Sequence, residues 1–288
     1  MYDMTQIFKS IGVCSWSLVP KDDHALVASL RHLSINSVQL AMTPLVEQPD
    51  QWGGVIASLR SEKIEVVSGM FEPIGEDYTT LDTIRQTGGI VPDEHWPGNL
   101  DRAGKIAALC KEHDIKTISF HAGFIPHDAS DPEHEKLCGR LAAMADVFAE
   151  AGCVLLLETG QETAEDLSRT LDVVARDNLA INFDPANMIL YDKGDPIAAL
   201  RHLIHLVKQV HIKDAIKTKT PGQWGEEVPV GCGGVDWPAF FEVLRGAGYS
   251  GSYIIEREAG DNRAGDIVKA RELIASHLSG ATRPETKV

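Results

Sequence analysis

Four side chains in this sequence could act together on one substrate or one ion: Glu158, Asp184, His211 and Glu256. Each closes a strand-like run. The runs are Val154-Leu155-Leu156-Leu157-Glu158, Leu179-Ala180-Ile181-Asn182-Phe183-Asp184, Gln209-Val210-His211-Ile212-Lys213-Asp214 and Tyr253-Ile254-Ile255-Glu256. Taken singly, each has a bland reading. Glu158 could be a solvated loop residue, Asp184 part of an Asp-Pro turn with Pro185, His211 a hydrogen-bonded core histidine, and Glu256 one member of an exposed Glu256-Arg257-Glu258 charge cluster. The conjunction favours another reading. Strand side chains alternate faces, so the four polar residues lie opposite the apolar Leu157, Phe183, Val210 and Ile255. If they converge, three carboxylates would repel one another unless a cation neutralised them.

Three oxygen ligands and one imidazole, with no thiolate, suit one divalent ion. Mn²⁺, Mg²⁺ or Co²⁺ is favoured, and Zn²⁺ is compatible. Open coordination positions would accept vicinal oxygens of a hydroxy-ketone, polarise its carbonyl and stabilise an enediolate. Two flanking carboxylates could then move protons, one removing and the other returning.

The elements that must position these groups alternate regularly. Strands are expected at 11–16, 37–40, 64–69, 116–121 and in the four runs above. Helices are expected at about 22–33, 51–59, 100–113, 132–151, from 163, from about 196, at 236–245 and at 264–278. Eight strand-then-helix units in 288 residues require parallel strands with helical crossovers. They match a single closed (β/α)8 TIM barrel better than an open doubly wound sheet, and no G-x-G-x-x-G follows the first strand. A barrel domain over 1–280 is expected, with a tail at 281–288. A long polar insertion at about 71–98, rich in Gly, Pro, Asp and Thr and holding Trp96, reads as a lid. In a barrel, strand C-terminal ends and the following loops form the active-site mouth.

Composition narrows the function classes. With 43% hydrophobic and 24% charged residues, the chain reads as a soluble globular protein. A net charge of −15 without a basic run weighs against nucleic acid as a partner. The five scattered cysteines contain no C-x-x-C, so they read as small buried hydrophobes in a reducing compartment. Residues 1–10 lack an apolar core of a signal peptide, and no run approaches the roughly 18 apolar residues of a membrane span. A cytoplasmic protein without membrane contact is expected. A homo-oligomer is compatible with this reading.

The chain resembles the xylose isomerase-like TIM barrel superfamily of sugar (phosphate) isomerases and epimerases. Relatives include D-tagatose 3-epimerase, hydroxypyruvate isomerase, inosose dehydratase and endonuclease IV. The resemblance rests on Leu157-Glu158-Thr159-Gly160, Phe183-Asp184-Pro185-Ala186-Asn187, Val210-His211-Ile212-Lys213-Asp214, Gly231-x-Gly233-x-Val235-Asp236-Trp237 and Ile255-Glu256. It implies that Glu158 and Glu256 are both metal ligands and the acid/base pair, with Asp184 and His211 completing the metal sphere. Two positions depart from the epimerase pattern: Asn187 stands where His is frequent, and Cys232 stands where Glu is frequent between the glycines. Endonuclease relatives use three zinc ions. Here His121 matches one of their ligands, but Ser68-Gly69, Asn187 and the lack of an Asp-x-His pair within 215–236 leave too few.

Further candidates surround the four. His121, closing the fourth strand, reads as a substrate contact or a structural histidine. Asn187 could hydrogen-bond a substrate hydroxyl. Lys213 could bind substrate oxygen or phosphate, or form an ion pair with Asp214 or Glu256. Trp16 could wall the pocket or belong to the core. The loop at 231–236 runs into a helix N-terminus and could hold a phosphate, or be only a turn. The leading expectation is a metal-dependent isomerase or epimerase acting on a small carbohydrate or polyol. The alternatives are a lyase on the same scaffold (dehydration of a keto-inositol or elimination from a 3-keto-glycoside), a catalytically silent sugar-binding barrel, and an endonuclease IV-like repair enzyme.

Overall fold

The computed structural model describes residues 11–220 and 222–279, so the expected tail at 281–288 and the expectation of no signal peptide at 1–10 lie outside the described residues. Strands β1 (Ile11–Cys14), β2 (Ser37–Ala41), β3 (Glu65–Met70), β4 (Thr117–Phe120), β5 (Val154–Glu158), β6 (Leu179–Phe183) and β7 (Val207–Ile212) follow the expected order. A small antiparallel hairpin comes next, β8 (Asp214–Ile216) with β9 (Glu226–Val228), and then β10 (Ser252–Ile255). Eight strands, β1 to β7 and β10, pair in parallel around a closed ring in which β10 joins β7 to β1. The chain therefore forms a single (β/α)8 TIM barrel.

The crossover helices begin where short polar side chains can take up free amides. Asp22 accepts from Ala25 N–H ahead of Asp23–His32, and Thr163 accepts from Asp166 N–H ahead of Ala164–Val174. Asp131, Asp195 and Asp236 cap the helices Pro132–Glu150, Pro196–Leu203 and Trp237–Gly246, each with proline in its first turn. The strands' apolar faces pack outward on these helices. Phe183 of β6, for example, meets Phe240 of Trp237–Gly246 with ring centroids 6.3 Å apart.

Several boundaries differ from the sequence reading. β1 stops at Cys14, and Ser15–Leu18 turns as a 3₁₀ helix, with Ser15 Oγ accepting from Ala41 N–H of β2. The expected helix at 51–59 falls on two pieces, Pro49–Trp52 and Val55–Ser61, divided at Gly53 and Gly54, and a further short helix, Thr43–Glu47, precedes them. The helix expected from Leu100 already begins at Trp96. Residues 71–98 are not structureless. They include the helix Leu81–Thr87, capped by Thr80, and the first turn of Trp96–His113. This segment is seated on the end of β4, where Ile90 N–H donates to Ala122 O. Gly89 makes the approach possible: its φ is +66°, and a Cβ there would lie 2.0 Å from Ala122 O. Trp96, whose presence suggested the lid, packs under the Arg140 guanidinium instead.

All five cysteines are free. Four are buried as expected, but Cys232 is exposed, because it sits at the tip of the 231–235 turn.

Candidate functional site

Glu158, Asp184, His211 and Glu256 meet at the C-terminal mouth of the barrel. One ligand atom of each lies within 4.8 Å of those of the other three, and all four residues are buried. His211 Nδ1 is the centre: it stands 3.3 Å from Glu158 Oε1, 3.3 Å from Glu256 Oε2 and 3.7 Å from Asp184 Oδ2.

Each of the four side chains is oriented from behind. Asp184 uses Oδ1 to cap a six-residue helix, Pro185–Leu190, accepting from Ala186 and Asn187 N–H, which leaves Oδ2 facing the cluster. The Asp-Pro turn and the cluster position are thus both real. On the far side of the imidazole, His211 Nε2 lies 2.7 Å from Gln39 Oε1. Gln39 in turn donates through Nε2 to Ser119 Oγ on β4, which fixes its Oε1 as the acceptor. Gln39 thus pins one ring nitrogen, and the other, Nδ1, faces the three carboxylates.

That arrangement calls for positive charge at Nδ1. His211 Nδ1 and Asp184 Oδ2 are both buried and have no hydrogen-bond partner. Burial alone disfavours an imidazolium here, yet Glu158, Cys14 and Glu256 outweigh it and hold the ring well above the ordinary histidine range. Burial likewise raises the Asp184 carboxyl. Burial would also raise Glu256, but Lys213 and His211 draw it well below the usual carboxylate range, and His211 and His121 do the same more weakly for Glu158. The donor set, the two orphaned atoms and the need for charge at Nδ1 all fit a divalent cation held by Glu158, Asp184, His211 and Glu256.

The cluster adjoins a cavity of about 430 Å³, which Glu256 lines directly. Trp16, His121, Asn187 and Lys213 also line it. Trp16 comes from the 3₁₀ turn after β1 and donates from Nε1 to Glu256 Oε1 at 2.7 Å, so it is wall and hydrogen-bond donor together. Asn187 Nδ2 donates to Glu158 Oε1 at 3.0 Å, and His121 Nε2 is 3.6 Å from the same oxygen with Nδ1 unpartnered. Lys213 Nζ is held between Glu256 Oε2 at 3.0 Å and Glu258 Oε2 at 2.8 Å.

Asp214 is not Lys213's partner. Its carboxylate turns to the 231–237 loop and accepts from Gly231, Gly233, Val235 and Ala215 N–H and from Trp237 Nε1. Cys232 and Gly234 N–H donate to Pro229 O and Ala215 O. Every amide from 231 to 235 is thus engaged within the protein, and the phosphate reading of this loop gives way to the turn.

Some contributors were missed in the sequence. Gln39 and Asn182 are polar residues at inward parity within apolar strands, the same signal that picked out His211. Asn182 Nδ2 reaches Glu158 Oε2 at 3.2 Å and His211 Nε2 at 3.0 Å. Tyr191, Trp224 and, from the 71–98 segment, Glu72, Glu76 and Tyr78 line the cavity, and nothing local in the sequence marks them.

A family model described as xylose isomerase-like TIM barrel matches residues 34–277. The chain belongs to this family. This xylose isomerase-like barrel is 35% identical over 100 residues to L-ribulose-5-phosphate 3-epimerase UlaE of Salmonella typhimurium. That match covers 34% of the chain and 33% of the relative, so it spans only about a third of either protein. Over almost its whole length the barrel superimposes on a xylose isomerase domain protein from Planctomyces limnophilus, with a TM-score of 0.82 and 29% identity, covering 94% of this chain and 96% of that one. A xylose isomerase-like TIM barrel protein from Mycobacterium smegmatis, solved in complex with magnesium, has a TM-score of 0.72 at 16% identity, covering 98% and 99% of the two chains. At that identity it speaks for the fold alone. No helix among the described residues is long and apolar enough to cross a membrane.

Proposed function

We propose that this barrel is a divalent-metal-dependent isomerase or epimerase of a small sugar, working by proton transfer next to a carbonyl. The observation that carries the reading is the pair of glutamates, Glu158 and Glu256, each 3.3 Å from His211 Nδ1, with Glu256 lining the cavity. A binding protein has no use for such a pair, whereas moving a proton from one carbon face to another requires a base and an acid. The epimerase activity in the name of the UlaE relative supports the same reading.

Glu158, Asp184, His211 and Glu256 would hold the ion. When bound, it polarises a substrate carbonyl and offsets the negative charge that develops on its oxygen. Trp16 Nε1 and Lys213 Nζ hold the Glu256 carboxylate by both its oxygens, ionised and aimed at the cavity, which suits a base. Glu158 stands behind Asn187 and His121, which line the cavity, and His121 can carry a proton towards it: burial opposes its protonation, but Glu158, Glu76 and Glu256 raise it above the ordinary value. Asn187 lines the cavity and can offer a hydrogen bond to a substrate hydroxyl without titrating.

The reading is tested by incubating metal-loaded protein with ketoses and keto-polyols in D₂O and following exchange by NMR. Deuterium should enter at the carbon next to the carbonyl without loss of water, and Glu158→Gln and Glu256→Gln should each lower the rate by about 10³-fold. Loss of water would mark a lyase, and no exchange across a broad panel would sink the enolisation chemistry.

A further inference from the structure

We infer that the cavity selects an uncharged polyhydroxy ketone and rejects its phosphate ester. The inference rests on the function proposed above and names the substrate class for that site. It runs against the phosphorylated sugar in the name of the UlaE relative, and three observations carry it.

The cavity is lined by four carboxylates, Glu72, Glu76, Glu256 and Glu258. Lys213 is the one lysine or arginine lining it among the described residues, and two of those carboxylates already hold it, at 3.0 and 2.8 Å. A phosphate dianion entering here would meet like charge, and Lys213 could bind it only by leaving an existing ion pair; the remaining cationic candidate, His121, is raised above its ordinary value only by Glu158, Glu76 and Glu256 and stands 3.6 Å from Glu158 Oε1. The usual backbone alternative is closed as well. The glycine loop at 231–235 has all five amides engaged, three of them by the Asp214 carboxylate, which places negative charge where a phosphate cradle would need none. Gly233 packs so tightly on Asp214 that a Cβ there would lie 2.1 Å from Oδ1.

The remaining lining suits a neutral sugar. Trp16, Tyr78, Tyr191 and Trp224 supply flat apolar surface, and carboxylates accept hydrogen bonds from hydroxyl groups. Arg85 and Lys193 stand over the Phe124 ring, which backs Tyr191, and neither lines the cavity.

The test compares L-ribulose with L-ribulose 5-phosphate, and 2-ketohexoses with their 6-phosphates, on metal-loaded protein. Trp16 and Trp224 line the cavity, so tryptophan fluorescence reports binding independently of turnover. Both the binding constant and kcat/KM should favour the free sugar by about tenfold or more. Glu72→Lys, which exchanges a carboxylate of the lining for a cation, should narrow that ratio. Equal or tighter binding of the phosphate, or a higher kcat/KM for it, overturns the inference while leaving the proton-transfer reading in place. If neither form exchanges deuterium, the proton-transfer reading fails, and the fluorescence ratio still decides the selectivity.

Discussion

At the scale of single residues, the site shows how one side chain can serve structure and chemistry with different atoms. Asp184 caps a helix with Oδ1 and faces the cluster with Oδ2, while His211 is held at Nε2 and open at Nδ1. Glu162 is a contrasting case. It is buried near the mouth, and burial pushes its carboxyl up to about 7, only partly opposed by His121, the Gly160 amide and Lys193. The folded state therefore binds its proton more tightly than the unfolded chain does. Its ionisation costs no stability below the ordinary value of 4.5, and the cost grows as pH rises from there through about 7. Glu162→Gln should accordingly stabilise the protein by up to roughly 3 kcal/mol at pH 8 and by almost nothing at pH 4. Urea denaturation at the two pH values measures this, and an equal effect at both would show that burial does not set the charge.

At the scale of elements, the segment following β7 is organised by one carboxylate. Asp214 joins β8 to the 231–237 loop by accepting from four amides and the Trp237 indole, and Trp237 opens the helix that packs on β6 through Phe240. Asp214→Ala should leave these buried donors without an acceptor, at a cost on the order of 3 kcal/mol in denaturant melts. A loss below about 0.5 kcal/mol would mean that the loop finds other acceptors. The 71–98 segment works similarly as a unit. Gly89 and Ile90 lock it to the end of β4, and Glu76 accepts from Gly89 N–H. Its side of the cavity is thereby built in, with Tyr78 and His121 ring centroids 6.5 Å apart.

At the scale of the molecule, the four residues of the cluster come from β5, β6, β7 and β10, or the residues just after them, so half the ring converges on one point. Charge neutralised there should tie these strands together. Adding Mn²⁺, Mg²⁺, Co²⁺ or Zn²⁺ to chelator-treated protein, at about a hundredfold excess over its Kd, should raise Tm by roughly 5 °C. If none of the four ions shifts Tm, the metal reading fails. The shift should shrink in His211→Ala, which removes the only nitrogen of the cluster.

The sequence alone determined the barrel and its four converging residues. Period-two alternation sets which face a residue joins, and eight strand-then-helix units leave few other parallel arrangements. The same alternation marked His211, and applied to Gln39 and Asn182 it would have marked the groups that orient it. What only the tertiary structure decided are contacts between segments far apart in the chain. Asp214 turns to Gly231 and Gly233 rather than to Lys213, Trp16 reaches Glu256, and Tyr78, Tyr191 and Trp224 meet across one cavity. Alternation fixes the face a side chain is on, but not which of the several groups on that face it will touch. That depends on where the loops above the strands are seated, and hence on packing at positions such as Gly89 and Gly233, where the absence of a Cβ sets how closely two segments approach.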